Sequence, residues 1–103
     1  MASHKEYLQY ILDQLADAEI TYRPMMGEYL LYCRGRLFGG IYDDRLLVKP
    51  VPAAGELLPD AGEELPYEGA KPMLPVEDTD DRAFLTKLVN AMWQQLPPPK
   101  KKK

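Results

Sequence analysis

The sequence predicts an α+β fold in which helices pack against an antiparallel sheet, and three observations carry that reading. Apolar residues recur at helical spacing in the first fifteen positions and again from Phe84 to Leu96. Between them, from Ile20 to Lys49, short runs of β-favouring residues are broken by two-residue turn signals. Those turns are too short for a parallel crossover, so consecutive strands must run antiparallel. At 103 residues the chain is expected to form one domain over residues 1–96, followed by a disordered Pro/Lys tail at 97–103.

The chain opens with a helix. Ser3 followed by Glu6 fits a capping box, in which each side chain satisfies a free backbone donor of the first turn. Tyr7, Leu8, Ile11, Leu12 and Leu15 then line one apolar stripe, leaving Gln9, Asp13 and Asp17 for solvent. Strands are expected near Ile20–Met25, Tyr29–Cys33, Arg36–Tyr42 and Arg45–Lys49, forming a meander of three or four. Gly27 punctuates the first pair. Arg34-Gly35 and Asp43-Asp44 each predict a tight hairpin, because Gly and Asp enter the left-handed region more readily than most residues. Tyr29, Leu31 and Cys33 share one face of their strand, and Leu30 and Tyr32 the other. Both faces are apolar or amphipathic, so the second is not expected to be simply bathed in water. Gly39-Gly40 in mid-strand predicts a bulge or a close approach by another element.

Six prolines between Pro50 and Pro75 limit continuous structure. A short helix fits 52–58, with Pro52 near its first turn. Two short edge strands are expected at Leu65–Glu68 and Pro72–Val76, joined by a turn at Gly69-Ala70-Lys71. The last helix is expected from about Thr79 to Leu96. Asp78 or Thr79 would cap it, with Asp80 and Asp81 in its first turn. Phe84, Leu85, Leu88, Val89, Met92 and Leu96 form its apolar stripe, with Trp93 alongside.

Composition narrows the chemistry. No apolar run is long enough to span a bilayer, and the N-terminus lacks an apolar signal region, so a cytoplasmic protein is expected. A single cysteine, Cys33, fits a reducing compartment and reads as a small buried hydrophobe. Ser3 and His4 are the only serine and histidine, which removes a serine-type triad and a zinc site. Gly39-Gly40 is not a phosphate loop, because the following Lys and Ser/Thr are missing. The pairs Asp43-Asp44, Glu63-Glu64 and Asp80-Asp81 read as turn, loop and helix start rather than as acid/base pairs. Asp78 and Asp80 begin like a calcium loop, but Arg82, Ala83 and Val89 break the pattern. No metal site is expected.

Charge argues about partners. Residues 1–50 carry six basic and seven acidic side chains, residues 51–96 three and nine, and Lys100 to Lys103 end the chain. An acidic body repels phosphate, so sequence-specific nucleic-acid binding is not expected, although Tyr22, Tyr29, Tyr32, Phe38 and Tyr42 lie near arginines. The lysine tail alone would give only transient, salt-sensitive attachment to anionic lipid or nucleic acid, not stable membrane association. A protein contact surface is expected on the first hairpin at Arg23, Glu28, Tyr32, Arg34 and Arg36. Turns expose such residues, and Arg and Tyr are enriched at interface hot spots. The same residues also read as an ordinary solvated hairpin.

The stretch from Arg23 through Pro24-Met25-Met26-Gly27 to Phe38, followed by Asp43-Asp44-Arg45-Leu46-Leu47-Val48-Lys49, resembles the N-terminal domain of the TfoX/Sxy competence regulators. Pro66 to Gly69 is similar to the family's segment before its last strand. Met26, Glu28 and Leu30 stand where the family has Phe, Gly and Gly, which marks a divergent branch; a stand-alone member is expected, because the family's second, C-terminal domain is missing from this sequence. The resemblance implies a two-layer, secretion-chaperone-like fold with no enzyme activity and no cofactor. It also implies a role in transcriptional control through a protein partner, such as a cyclic-AMP-receptor-type activator. The reading from a different class is a small-molecule-binding domain or weak enzyme using a cleft between sheet and helices.

Overall fold

Two-residue turns build the sheet. In the computed structural model, which describes residues 4–25, 27–66 and 69–96, Arg34 and Gly35 take φ of 48° and 85°. Asp43 and Asp44 take 56° and 58°. Positive φ at both central residues is what a type I′ hairpin requires, and its twist matches that of the flanking strands. The resulting strands are β1 (Ile20–Met25), β2 (Glu28–Cys33), β3 (Arg36–Tyr42) and β4 (Arg45–Val48), with a two-residue β5 (Leu74–Pro75). They form one antiparallel sheet in sequence order, β1-β2-β3-β4-β5. Pro24, which has no amide to donate, lies in the edge strand β1, where the sheet tolerates it.

Helices α1 (Lys5–Gln14), α2 (Pro52–Leu57) and α3 (Arg82–Trp93) cover one face of this sheet. Leu8, Ile11 and Leu15 join Leu85, Leu88, Val89 and Met92 in one buried cluster with Leu31, Phe38, Ile41 and Val48. Each fully buried aliphatic side chain stabilises the fold by ~1.5–3 kcal/mol. Cys33 belongs to the same cluster, its thiol donating to the Ala18 carbonyl at 3.2 Å, and burial pushes its pKa up. It is a packed side chain, the small buried hydrophobe expected from sequence.

The central glycines behave as expected. The β2–β3 register jumps between Leu31↔Gly39 and Tyr32↔Leu37, leaving Phe38 as the extra residue of a bulge. Phe38 points into the core, fully buried. A Cβ on Gly39 would lie 2.1 Å from the Leu47 carbonyl oxygen, and one on Gly40 would lie 2.6 Å from that of Tyr29. Backbone passes too close at both positions for any side chain.

Three expectations need correction. The cap of α1 is His4, whose side chain makes no capping hydrogen bond; Ser3 lies outside the described residues. Asp44 instead accepts from the His4 amide at 2.8 Å, reaching the helix start from the second hairpin. Leu65–Glu68 is not a strand over its described part. Only a bridge between Glu64 and Met73 forms there, and β5 is shortened to two residues. Pro66 and Pro72 remove the amides that a longer ladder would need. Finally, α3 starts later than expected. Asp81 is its cap and accepts from the Phe84 amide at 3.0 Å, so it does not sit in the first turn. Thr79 and Asp80 are tied to α1 through the Tyr10 hydroxyl and, for Thr79, the Gln14 side-chain amide. The tail at 97–103 lies outside the described residues.

Candidate functional site

The face of the sheet turned away from the helices is the region with surface left to use. Register and alternation place Thr21, Arg23 and Met25 of β1, Glu28, Leu30 and Tyr32 of β2, and Leu37, Gly40 and Tyr42 of β3 on it. Arg45 and Leu47 of β4 follow. Burial rises steadily across one row of this face. Arg23 is exposed, its partner Leu30 half-buried, and Gly40 and Leu47 fully buried. Leu47 lies outside the helix-side cluster, so a separate covering shields it.

That covering is the irregular stretch at 64–66 and 69–73. Arg45 fastens it, donating to Glu64 Oε1 at 2.6 Å and to the Leu65 carbonyl at 3.5 Å, while its Nε donates to the Tyr42 carbonyl at 3.1 Å. Paired amide–carbonyl hydrogen bonds of 2.8 Å between Glu64 and Met73 hold the two limbs together. Between this cover and the sheet runs a groove of about 670 Å³. Leu37, Tyr42, Val51 and Met73 supply apolar walls, and Lys49 and Lys71 the charge. Burial and the neighbouring Lys71 hold the Lys49 ammonium below the ordinary lysine range.

The five hairpin residues singled out from sequence divide between the two faces. Arg23 and Tyr32 lie on the outer face, exposed and half-buried respectively. Glu28 is on the same face, where its carboxylate accepts from the Asp43 amide at 3.1 Å. Arg34 and Arg36 instead turn to the helix side. Their guanidinium carbons stand 4.8 and 4.0 Å from the centre of the Trp93 ring. Each such cation–π contact contributes ~0.5–2 kcal/mol. Arg36 also donates to the carbonyls of Trp93 and Leu96 at 3.0 and 3.3 Å, placing its charge where the α3 dipole is negative. Trp93 completes the cluster by donating its indole N–H to the Cys33 carbonyl at 2.9 Å.

The alignment with known families fits this architecture. A model of the TfoX N-terminal domain matches residues 11–95. The chain belongs to the TfoX N-terminal domain family. The uncharacterized 12.7 kDa protein in the trpE 5′ region of Spirochaeta aurantia is 30% identical over 105 aligned residues, covering 100% of this chain and 91% of that protein. No solved structure gives a significant match.

The layer between sheet and helices is filled by buried side chains, and at its edge a cleft of about 280 Å³ opens between Tyr7 of α1 and Asp44, Arg45 and Leu46. Among those residues no group of three or more His, Cys, Asp or Glu could hold a metal, and no helix is long and apolar enough to cross a membrane. Arg45, which lies near Asp44, Glu64 and Glu77, is held by its bonds to the cover. Sequence reasoning missed the groove. Alternation alone would put Leu37 and Tyr42 on opposite faces, and only the bulge at Phe38 brings both to the outer one. Lys49 and Lys71 carry no legible signal, because only the folded cover brings them to one groove.

Proposed function

We propose that this domain is a non-enzymatic regulatory adaptor that binds a protein partner through the outer face of its sheet, in transcriptional control. One observation carries the reading: Leu30, Tyr32 and Leu37 form a contiguous, half-exposed apolar strip beside the covered half of that face. Helices already claim the opposite face. An apolar strip rimmed by a charged side chain such as Arg23 is the pattern of a contact surface, not of a solvated one. Membership of the TfoX N-terminal family supports a regulatory rather than a catalytic role. The partner class that fits the family is a transcription activator, with the cyclic-AMP-receptor type as the leading case.

Site-specific photo-cross-linking in a native host tests this. A photoreactive residue at position 32 is expected to trap a transcription regulator, identified by mass spectrometry. The same residue at the exposed helix position 13 is expected to trap none. Equal trapping at both positions, or a metabolic enzyme as the captured species, would sink the proposal.

A further inference from the structure

The groove beside Tyr42 has a chemical character that the rest of the molecule lacks. Residues 51–96 carry three basic side chains against nine acidic ones. Yet the groove collects Lys71, one of the three, together with Lys49, and its described lining contains no carboxylate. Neither lysine makes an ion pair among the described residues. Two like charges gathered at a partly desolvated place raise each other's free energy, and a bound anion relieves both the repulsion and the burial cost. The depressed Lys49 ammonium reports that same tension. Around the lysines the walls are apolar, from Leu37, Val51, Met73 and flanking prolines. A ligand that satisfies the whole groove must therefore present negative charge and an apolar group side by side.

Size and continuity say what kind of ligand. The groove is not closed off from the outer face. Leu37 lines it and is also the register partner of Tyr32, so the apolar strip runs directly into it. A chain crossing the strands at Tyr32 would pass onto Leu37 and so reach the groove. We propose that the groove takes a short extended segment of the protein partner, carrying an Asp or Glu side chain for Lys49 and Lys71 beside an apolar one for Leu37 and Met73. This deepens the adaptor reading and rests on it. In a largely acidic domain, two lysines side by side fix the register of such a segment as well as adding affinity.

Amide chemical-shift mapping on the full chain tests the proposal. The probe is a short end-capped peptide alternating aspartate with leucine. Its controls are the asparagine–leucine counterpart and free butyrate. Saturable shifts are expected at Leu37, Lys49, Val51, Lys71 and Met73. The asparagine peptide, Lys71→Gln and Lys49→Met are each expected to bind about tenfold more weakly, and salt should weaken the wild-type complex. Lys71 is exposed, so its variant keeps the fold even if Lys49→Met disturbs it. The proposal is overturned by non-saturable shifts, by equal binding of the asparagine peptide, or by butyrate binding as tightly as the aspartate peptide. The cross-link at position 32 separates the two readings. If it forms undiminished in Lys71→Gln, the adaptor reading stands and the groove proposal falls. If the peptide binds but no regulator is trapped, the adaptor reading falls instead.

Discussion

The two faces of one sheet are built differently. On the helix side, Leu31, Ile41 and Val48 meet side chains from three helices and are wholly buried. On the outer side, Leu30 and Tyr32 remain half-exposed, while Gly40, Tyr42 and Leu47 lie beneath an irregular cover. The helix side is closed by regular elements whose periodicities match it. The outer side is closed over only part of its width, by a proline-broken segment pinned through Arg45. Core packing is thus concentrated on one face, and the other keeps half-exposed apolar surface. Residues adjacent in sequence, such as Leu30 and Leu31, belong to different tasks.

Truncating those two neighbours puts the difference to its hardest test. Leu31→Ala removes a fully buried side chain from a packed core, and a loss of ~2–5 kcal/mol is expected. Leu30→Ala on the outer face should cost less than ~1 kcal/mol. Urea unfolding followed by the fluorescence of Trp93, the only tryptophan, measures both. Similar losses for the pair would mean that the outer face is as much a core as the inner one.

A smaller effect is expected at Gly40, where the outer face is covered. A methyl group there meets the Tyr29 carbonyl oxygen and comes within 2.7 Å of the Tyr42 ring. Gly40→Ala should destabilise by ~1–3 kcal/mol through overpacking. It should also move the resonances of the groove residues, since the Tyr42 ring lines that groove. A neutral variant with unshifted groove signals would show that the ring does not depend on the glycine.

The smallest expected effect concerns His4 and Asp44, which join the helix layer to the second hairpin. The ring Nδ1 lies 2.6 Å from Asp44 Oδ2, and this bond raises the histidine pKa above its ordinary 6.5. The bonds from His4, backbone first, hold the Asp44 carboxyl below its ordinary 3.8. The histidine's contribution is full below its unfolded pKa and is lost as pH rises through the folded one. The aspartate's is full above its unfolded pKa and is lost as pH falls through the folded one. The link is therefore strongest in the mildly acid range between 3.8 and 6.5. In an NMR titration the His4 ring should titrate above 6.5, and Asp44→Asn should bring it back towards that value. An unchanged titration in Asp44→Asn would dissolve the link.

Legibility followed the same divide. From Ile20 to Val48 the turn residues name their own geometry, so Arg34-Gly35 and Asp43-Asp44 delimit β1 to β4 within a residue of where they lie. Past Pro50 each ambiguity was one of several partners competing for a backbone or side-chain group. Thr79, Asp80 and Asp81 all suit a helix start, and only the contacts with Tyr10 and Gln14 decide that Asp81 takes the cap. The run at 65–66 has strand-like alternation, but no strand forms there. The outer face was legible as apolar from Leu30 and Tyr32. What was not legible was the turning of Arg34 and Arg36 toward Trp93, a residue more than fifty positions away.

Sequential strand order has a consequence for the time course of assembly. Every strand up to β4 pairs with the one just made, across a turn of two residues, so each step closes a short loop and loses little chain entropy. The meander can grow outward from any of its three hairpins before any distant segment arrives. Long-range closure falls to β5 returning to β4, to α1 meeting the start of α3 through Tyr10 and Thr79, and to the end of α3 docking on β2 and β3 through Trp93. A sheet of this order folds with the speed of local contacts, and the helices then lock a surface that already exists.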